Sequence, residues 1–145
     1  MFMGEFHHTI DEKGRLIIPS KIRNDLGKKF ILTRGIEHCL YVYPIETWNE
    51  IAKKIESLPF TKKDARDFAR FFLSGATVAE FDSLGRVNIT SPQISYANIT
   101  KDCVIVGVGE RLEIWSSEDW KTFMDSAVKN MSDIADNLYN ESVIL

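Results

Sequence analysis

Apolar residues alternate with polar ones in several short stretches of this chain and recur every three or four positions in others. Residues 6–10 read as a short strand, and after Asp11-Glu12-Lys13-Gly14 the run 15–18 returns as a second. Pro19 and Ser20 open a short helix to Leu26, which Gly27 ends. Residues 30–33 and 40–43 are β-branched or aromatic and predict two more strands, linked by a turn around Gly35. Trp48, Ile51, Ile55 and Leu58 then follow at spacings of 3, 4 and 3, predicting a helix from Glu46 that Pro59 stops. Over 61–75 a further helix is expected. Thr61-Lys62-Lys63-Asp64 resembles a capping box, and Ala65, Phe68, Ala69 and Phe72 form an apolar stripe ending at Ser74-Gly75. Phe71 and Leu73 widen that stripe, which points to packing against a neighbour. Beyond about Val128 the chain is polar and acidic up to Val143-Ile144-Leu145, and no element is predicted there.

This pattern occurs twice. Asp11-Glu12-Lys13-Gly14-Arg15-Leu16-Ile17-Ile18 recurs 71 residues later as Asp82-Ser83-Leu84-Gly85-Arg86-Val87-Asn88-Ile89. Leu40-Tyr41-Val42-Tyr43 answers Leu112-Glu113-Ile114-Trp115, and Trp48 answers Trp120. A solenoid needs about three or more such units, so two predict a pseudo-twofold pair sharing one core. The first unit spans 5–47, connecting helices 48–75, the second unit 76–119, and a C-terminal helix and tail 120–145. Residues 61–75 have no evident counterpart in the second copy. In each D-x-x-G-R turn the glycine, Gly14 or Gly85, supplies a positive φ, and Asp11 or Asp82 an Asx-type bond to the turn backbone.

Charge changes the picture. The chain totals −3, but residues 1–75 hold 13 Lys/Arg against 10 Asp/Glu, a net of +3, and residues 76–145 hold 5 against 11, a net of −6. Such asymmetry between halves suggests a polyanionic partner. Between 11 and 34 the excess reaches +4. No apolar run approaches a membrane span of about 20 residues, and the start does not read as a signal peptide. Cys39 and Cys103 lie in apolar stretches without metal-binding or redox spacing, and are expected to be buried free thiols. These features predict a cytoplasmic protein.

The opening Met3-Gly4-Glu5-Phe6, the paired D-x-x-G-R turns, Ile18-Pro19-Ser20-x-x-Arg23 and Thr61-Lys62-Lys63-Asp64-Ala65-Arg66 together resemble the MraZ family of the AbrB/MazE-like superfamily. The likeness spans about residues 3–125 and fades in the tail. It implies an α+β fold, a double-split β-barrel formed by two tandem AbrB-like repeats with flanking helices. It further implies a nucleoid-associated transcriptional regulator that assembles as a ring-like homo-oligomer. Its partner would be double-stranded DNA at short G-rich direct repeats upstream of the division and cell-wall gene cluster, its own promoter region included. The second copy departs from the family pattern: Ile89-Thr90 stands where the first has Ile18-Pro19, and Gln93-Ile94 where members carry Leu-Arg.

Arg15 and Arg86 follow their turns directly, and an arginine's planar fork suits phosphate or the O6/N7 edge of guanine. Each also stands four residues after an aspartate that can orient it. Lys13 occupies the turn tip, opposite Leu84 in the second copy, and Lys21 and Arg23 flank Ile22 at a helix start, facing solvent. Lys13, Arg15, Lys21, Arg23 and Arg86 are therefore the expected DNA-binding set, with Asp11, Gly14, Asp82 and Gly85 shaping the turns. Lys28 and Lys29 read as solvated. His7-His8 point to opposite faces of a strand, and His38 near Cys39 has no further ligand at metal spacing, so no metal, cofactor or catalytic centre is expected. Gly107-Val108-Gly109 lacks the third glycine of a dinucleotide fingerprint, and no small-molecule substrate or membrane partner is indicated. Trp48 and Trp120 lie on helix stripes and read as packing rather than base-stacking residues. The alternative reading is an interaction protein, a scaffold or antitoxin-like module with the acidic second half as its docking face, and the altered 89–94 segment favours it.

Overall fold

The computed structural model describes residues 1–143. The first half comprises β1 (Glu5–Thr9), β2 (Arg15–Ile17), α1 (Ser20–Leu26), β3 (Lys29–Arg34), β4 (Leu40–Pro44), α2 (Ile45–Glu56) and α3 (Lys63–Ser74). The second half follows with β5 (Thr77–Glu80), β6 (Arg86–Asn88), α4 (Ser91–Tyr96), β7 (Asp102–Gly107), β8 (Leu112–Ser116) and α5 (Ser117–Asn140).

The two repeats are interleaved strand by strand. A six-stranded antiparallel sheet runs β1-β7-β8-β4-β3-β5, and β2 pairs with β6 as a separate ribbon. Thus β1 of the first copy lies on β7 of the second, with Phe6 opposite Ile105. Reciprocally, β5 of the second lies on β3 of the first, with Phe30 opposite Ala79. At the centre β4 meets β8, Leu40 facing Ile114. The strands on either side of each turn therefore do not form the hairpin expected from sequence. Across each turn they are joined by one backbone bond, Asp11 N–H to Arg15 O or Asp82 N–H to Arg86 O, with the isolated bridge Ile10–Leu16 added at the first, before they diverge to different partners. Because β1 and β5 are the sheet edges and run on into β2 and β6, the ribbon spans from one edge to the other. Sheet and ribbon together wrap one core as a split β-barrel in an α+β fold.

Period-two alternation builds two apolar layers on the one sheet. Leu40 and Val42, Ile105, Leu112 and Ile114 face inward, where Leu16, Ile18, Val87 and Ile89 close over them. Tyr41 and Tyr43, Val104, Val106 and Trp115 face outward and are covered by α2, α3 and the start of α5. Burial of each large side chain such as Phe30 or Leu32, both fully buried, contributes about 1.5–3 kcal/mol. Trp48 stacks on Phe72 at 5.6 Å, and Trp120 packs on Trp115 at 5.5 Å, so both tryptophans serve the outer layer as expected. Helices α2, α3 and α5 consequently lie on the opposite side of the sheet from the ribbon, whereas α1 and α4 pack into the inner layer.

Two elements differ from expectation. Residues after Val128, expected to carry none, continue α5 to Asn140. Met131, Ile134 and Leu138 extend the apolar spacing through the acidic residues that hid it. Ile144 and Leu145 lie outside the described residues. The capping box expected at Thr61 does not form: α3 starts at Lys63 with no side-chain cap, and the chain is held there by Lys62 N–H to Pro59 O at 3.0 Å. A capping box forms instead at Thr90 and Gln93. No helix is long and apolar enough to cross a membrane among the described residues.

Candidate nucleic-acid interface

The two D-x-x-G-R turns share one construction. Asp11 Oδ1 accepts the backbone N–H groups of Lys13 and Arg15, both at 2.9 Å, while its Oδ2 accepts Arg15 Nε at 2.7 Å. Asp82 does the same for Leu84, Arg86 and Arg86 Nε at 2.9, 2.9 and 2.7 Å. Gly14 and Gly85 close the turns at φ 79° and 75°, a left-handed conformation that other L-residues adopt only with strain. In each turn the arginine backbone N–H holds the aspartate carboxyl below its ordinary value, helped by the arginine side chain. Because Nε is tied to the carboxylate, each guanidinium is fixed in direction while its terminal nitrogens bond no other described residue.

The β2–β6 ribbon brings these arginines onto one surface. Arg15 stands opposite Asn88, Ile17 opposite Arg86, and Leu16 opposite Val87 between them. Leu16 and Val87 are buried, so Arg15, Ile17, Arg86 and Asn88 project outward. The ribbon ends are clamped crosswise: Ile89 N–H donates to Gly14 O at 2.7 Å and Ile18 N–H to Gly85 O at 3.3 Å. Each turn therefore sits beside the other copy's strand end.

Lys13 is exposed at the tip of the first turn, and Lys21 is exposed in the first turn of α1. Arg23 departs from expectation. It is half-buried instead of free, its Nε donates to Ile18 O at 2.7 Å, and its guanidinium lies directly over Gly85. Strand crossing explains this, because α1 follows β2 and β2 ends at the second turn. Arg23 thus gives the second turn a cation where its own tip has Leu84. One end of the ribbon carries Lys13 and Arg15, and the other carries Arg23 and Arg86.

The departures in the second copy have structural work. Thr90 and Gln93 cap α4 reciprocally, through Gln93 N–H to Thr90 Oγ1 at 3.3 Å and Thr90 N–H to Gln93 Oε1 at 3.1 Å. Gln93 is only 3% exposed, and its amide reaches Thr77 Oγ1, Leu32 O and Gly75 O at 3.1, 3.4 and 3.4 Å. Ile94, at the position equivalent to Arg23, lies over Gly14 as Arg23 lies over Gly85. Sequence reasoning missed Gln93, although a T-x-x-Q spacing was there to be read. It also passed over Ile17 and Asn88, which the alternation Arg15-Leu16-Ile17 and Arg86-Val87-Asn88 places outward.

Groups away from the ribbon are otherwise engaged. Cys39 and Cys103 are buried and unpaired; burial pushes the Cys39 thiol far up and Cys103 to about 11. His38 stacks on Tyr96, and its Nδ1–H donates to the Tyr96 carbonyl oxygen at 3.0 Å. On the outer layer Arg111 lies over Tyr41 at 4.2 Å and pairs with buried Glu113 at 2.7 Å. No cluster of metal-ligating side chains occurs among the described residues.

Comparison with known proteins gives a consistent match. A family model described as "MraZ protein", with an antitoxin-like designation, matches residues 1–71 and again 72–140. The second match carries the similarity through the tail, beyond the limit expected near residue 125. A protein of Lactobacillus gasseri named transcriptional regulator MraZ is 53% identical over 138 residues, covering 95% of this chain and 96% of that protein. One of the same name from Lactobacillus johnsonii is 54% identical, with coverage of 95% and 96%. Another from Halothermothrix orenii is 52% identical over 135 residues, with 93% and 94% covered.

Proposed function

The chain belongs to the MraZ family, and from that premise we propose that it is a transcriptional regulator binding double-stranded DNA through the outer face of the β2–β6 ribbon. The observation that carries this reading is the pair of arginines, each aimed by an aspartate and each with terminal nitrogens that bond no other described residue, set on one two-stranded ribbon. A ribbon of this kind fits a major groove about 12 Å wide, where the paired terminal nitrogens of an arginine match guanine O6 and N7. Lys13, Lys21 and Arg23 supply phosphate contacts around it, which position the protein without reading sequence. The inferred targets are tandem G-rich repeats in the chain's own promoter region, ahead of the division and cell-wall genes, reached in the cytoplasm at the nucleoid.

One subunit offers few cations, so assembly matters. A homo-oligomeric ring presenting the same ribbon to successive repeats gains affinity by effective concentration, by about 10²- to 10⁴-fold. Exposed apolar side chains remote from the ribbon support self-association: Leu58, Phe60 and Phe68 about α2 and α3, and Val128, Met131 and Ile134 on α5. The altered segment gives a protein-docking module less support, because Thr90, Gln93 and Ile94 are engaged in capping and in packing on the first turn.

The test is fluorescence anisotropy of the purified chain on its own upstream DNA and on a scrambled duplex, across a salt series. Preference for the upstream duplex, with log affinity falling by about 0.9 per contacted phosphate for each unit of log salt, is expected. Equal binding to both duplexes at every salt concentration would overturn the reading.

A further inference from the structure

We propose that Ile17 and Asn88 read base edges, and that their inequivalence makes the DNA site of a single subunit non-palindromic. The inference rests on the reading that the β2–β6 ribbon binds DNA, and deepens it by separating residues that anchor from residues that discriminate.

The ribbon's outer face presents two cross-strand pairs, Arg15 with Asn88 and Ile17 with Arg86. Both arginines are tethered to their own turns through Nε. Neither Ile17 nor Asn88 serves the fold in a comparable way. Ile17 is 43% exposed between fully buried Leu16 and Ile18, so a branched apolar side chain stands out on an otherwise polar face. Asn88 is exposed, and its amide bonds no other described residue. In a major groove a carboxamide matches the N6/N7 edge of adenine, and an aliphatic side chain matches the thymine methyl group.

Symmetry supplies the second half of the argument. The two turns and their arginines superpose in hydrogen bonding, so Arg15 and Arg86 present equal contacts in both directions along a duplex. A protein with twofold-related contacts selects a twofold-related site. Ile17 and Asn88 occupy equivalent positions 71 residues apart and differ in chemistry. They therefore give the ribbon a direction, and copies arranged in one orientation would read repeats arranged in one orientation.

The experiment is selection of bound sequences from a randomised duplex pool by the purified full chain, compared with Asn88→Ala, Ile17→Ala and Ile17→Asn. Each variant's thermal midpoint and oligomer size are checked against wild type, since both positions are exposed. Wild type is expected to select a directional motif. Asn88→Ala loses discrimination at one base pair by about 5- to 150-fold. Ile17→Ala loses about fourfold at a neighbouring thymine, the worth of one buried methylene. Ile17→Asn equalises the two ends and shifts selection toward a site with twofold symmetry. An unchanged directional motif in all three variants would overturn the inference while leaving ribbon binding intact. Failure of wild type to select any motif would overturn the ribbon reading and this inference with it.

Discussion

Within the turn at 11–14 and the turn at 82–85, every internal backbone and aspartate hydrogen bond matches to within 0.1 Å, yet different side chains cover them. Ile94 covers Gly14, and Arg23 covers Gly85. The first turn carries its cation at its tip, as Lys13, and is sealed by an aliphatic group. Leu84 leaves the second tip uncharged, and a cation arrives from the other repeat. Two unlike sequences thus yield two similarly charged ends, because the strands cross between repeats. A basic first copy and a second copy that departs from the pattern form one surface to which both contribute.

Alanine at the two glycines should separate the turns most sharply. A Cβ at Gly14 would stand 2.7 Å from the backbone oxygen of Ile89, which cannot move without breaking the ribbon clamp. With the left-handed φ added, Gly14→Ala should cost about 2–5 kcal/mol in denaturant unfolding. A Cβ at Gly85 meets only the end of the Arg23 side chain, at 2.3 Å, which can swing aside. Gly85→Ala should then cost about 1–2 kcal/mol, mainly from φ strain. If Arg23 contacts a phosphate, its displacement should also reduce the salt slope of DNA binding by about 0.9. Equal destabilisation by the two substitutions would contradict the different coverings.

Between these lies Gln93→Leu, expected to cost about 1–3 kcal/mol by removing the amide's bonds to Thr77, Leu32 and Gly75 and leaving the Thr90 N–H half of the capping box unmade. Its equivalent in the first copy, Ile22, is an ordinary buried aliphatic residue. Unfolding should show the loss without any change in salt slope, since Gln93 is remote from the DNA face in this account.

The smallest effect is common to both turns. Asp11 and Asp82 have lowered folded-state values, so their contribution is present above the unfolded carboxylate range near pH 3.9 and is lost as pH falls through the lowered values. Stability from this source should be flat from pH 5 to 8 and decline below about pH 4. Melting curves of Asp11→Asn and Asp82→Asn should show that acid decline reduced to a similar degree in each. A decline centred well above pH 5 would contradict this source.

How far the sequence carried these conclusions differs by element. The paired turns and their Asx bonds were legible because they are local: aspartate, glycine and arginine lie within five residues. The alternation 40–43 and 112–115 likewise revealed two-faced strands. Pairing was not legible, since nothing in residues 5–17 specifies whether β1 meets β2 or β7, and long-range register is decided by the assembled core. Arg23's location over Gly85 follows from that pairing and was hidden with it. The distal half of α5 was masked because Asp133 and Asp136 dilute a regular apolar spacing. The capping boxes were misassigned because Thr61 and Thr90 carry similar local signals, and only Gln93 has buried acceptors within reach.

The central claim is that the two ends of one ribbon bind DNA together, and the most direct measurement compares Arg15→Ala with Arg86→Ala. Both would be titrated by anisotropy against the upstream duplex over a salt series, with unfolding curves and oligomer size as controls. Shared binding predicts that each variant keeps its assembly and loses affinity for the upstream duplex to within a few-fold of the other, about tenfold or more if each arginine makes a bidentate base contact. Wild-type binding by Arg86→Ala beside a large loss in Arg15→Ala would show that the first turn acts alone, and would contradict the account.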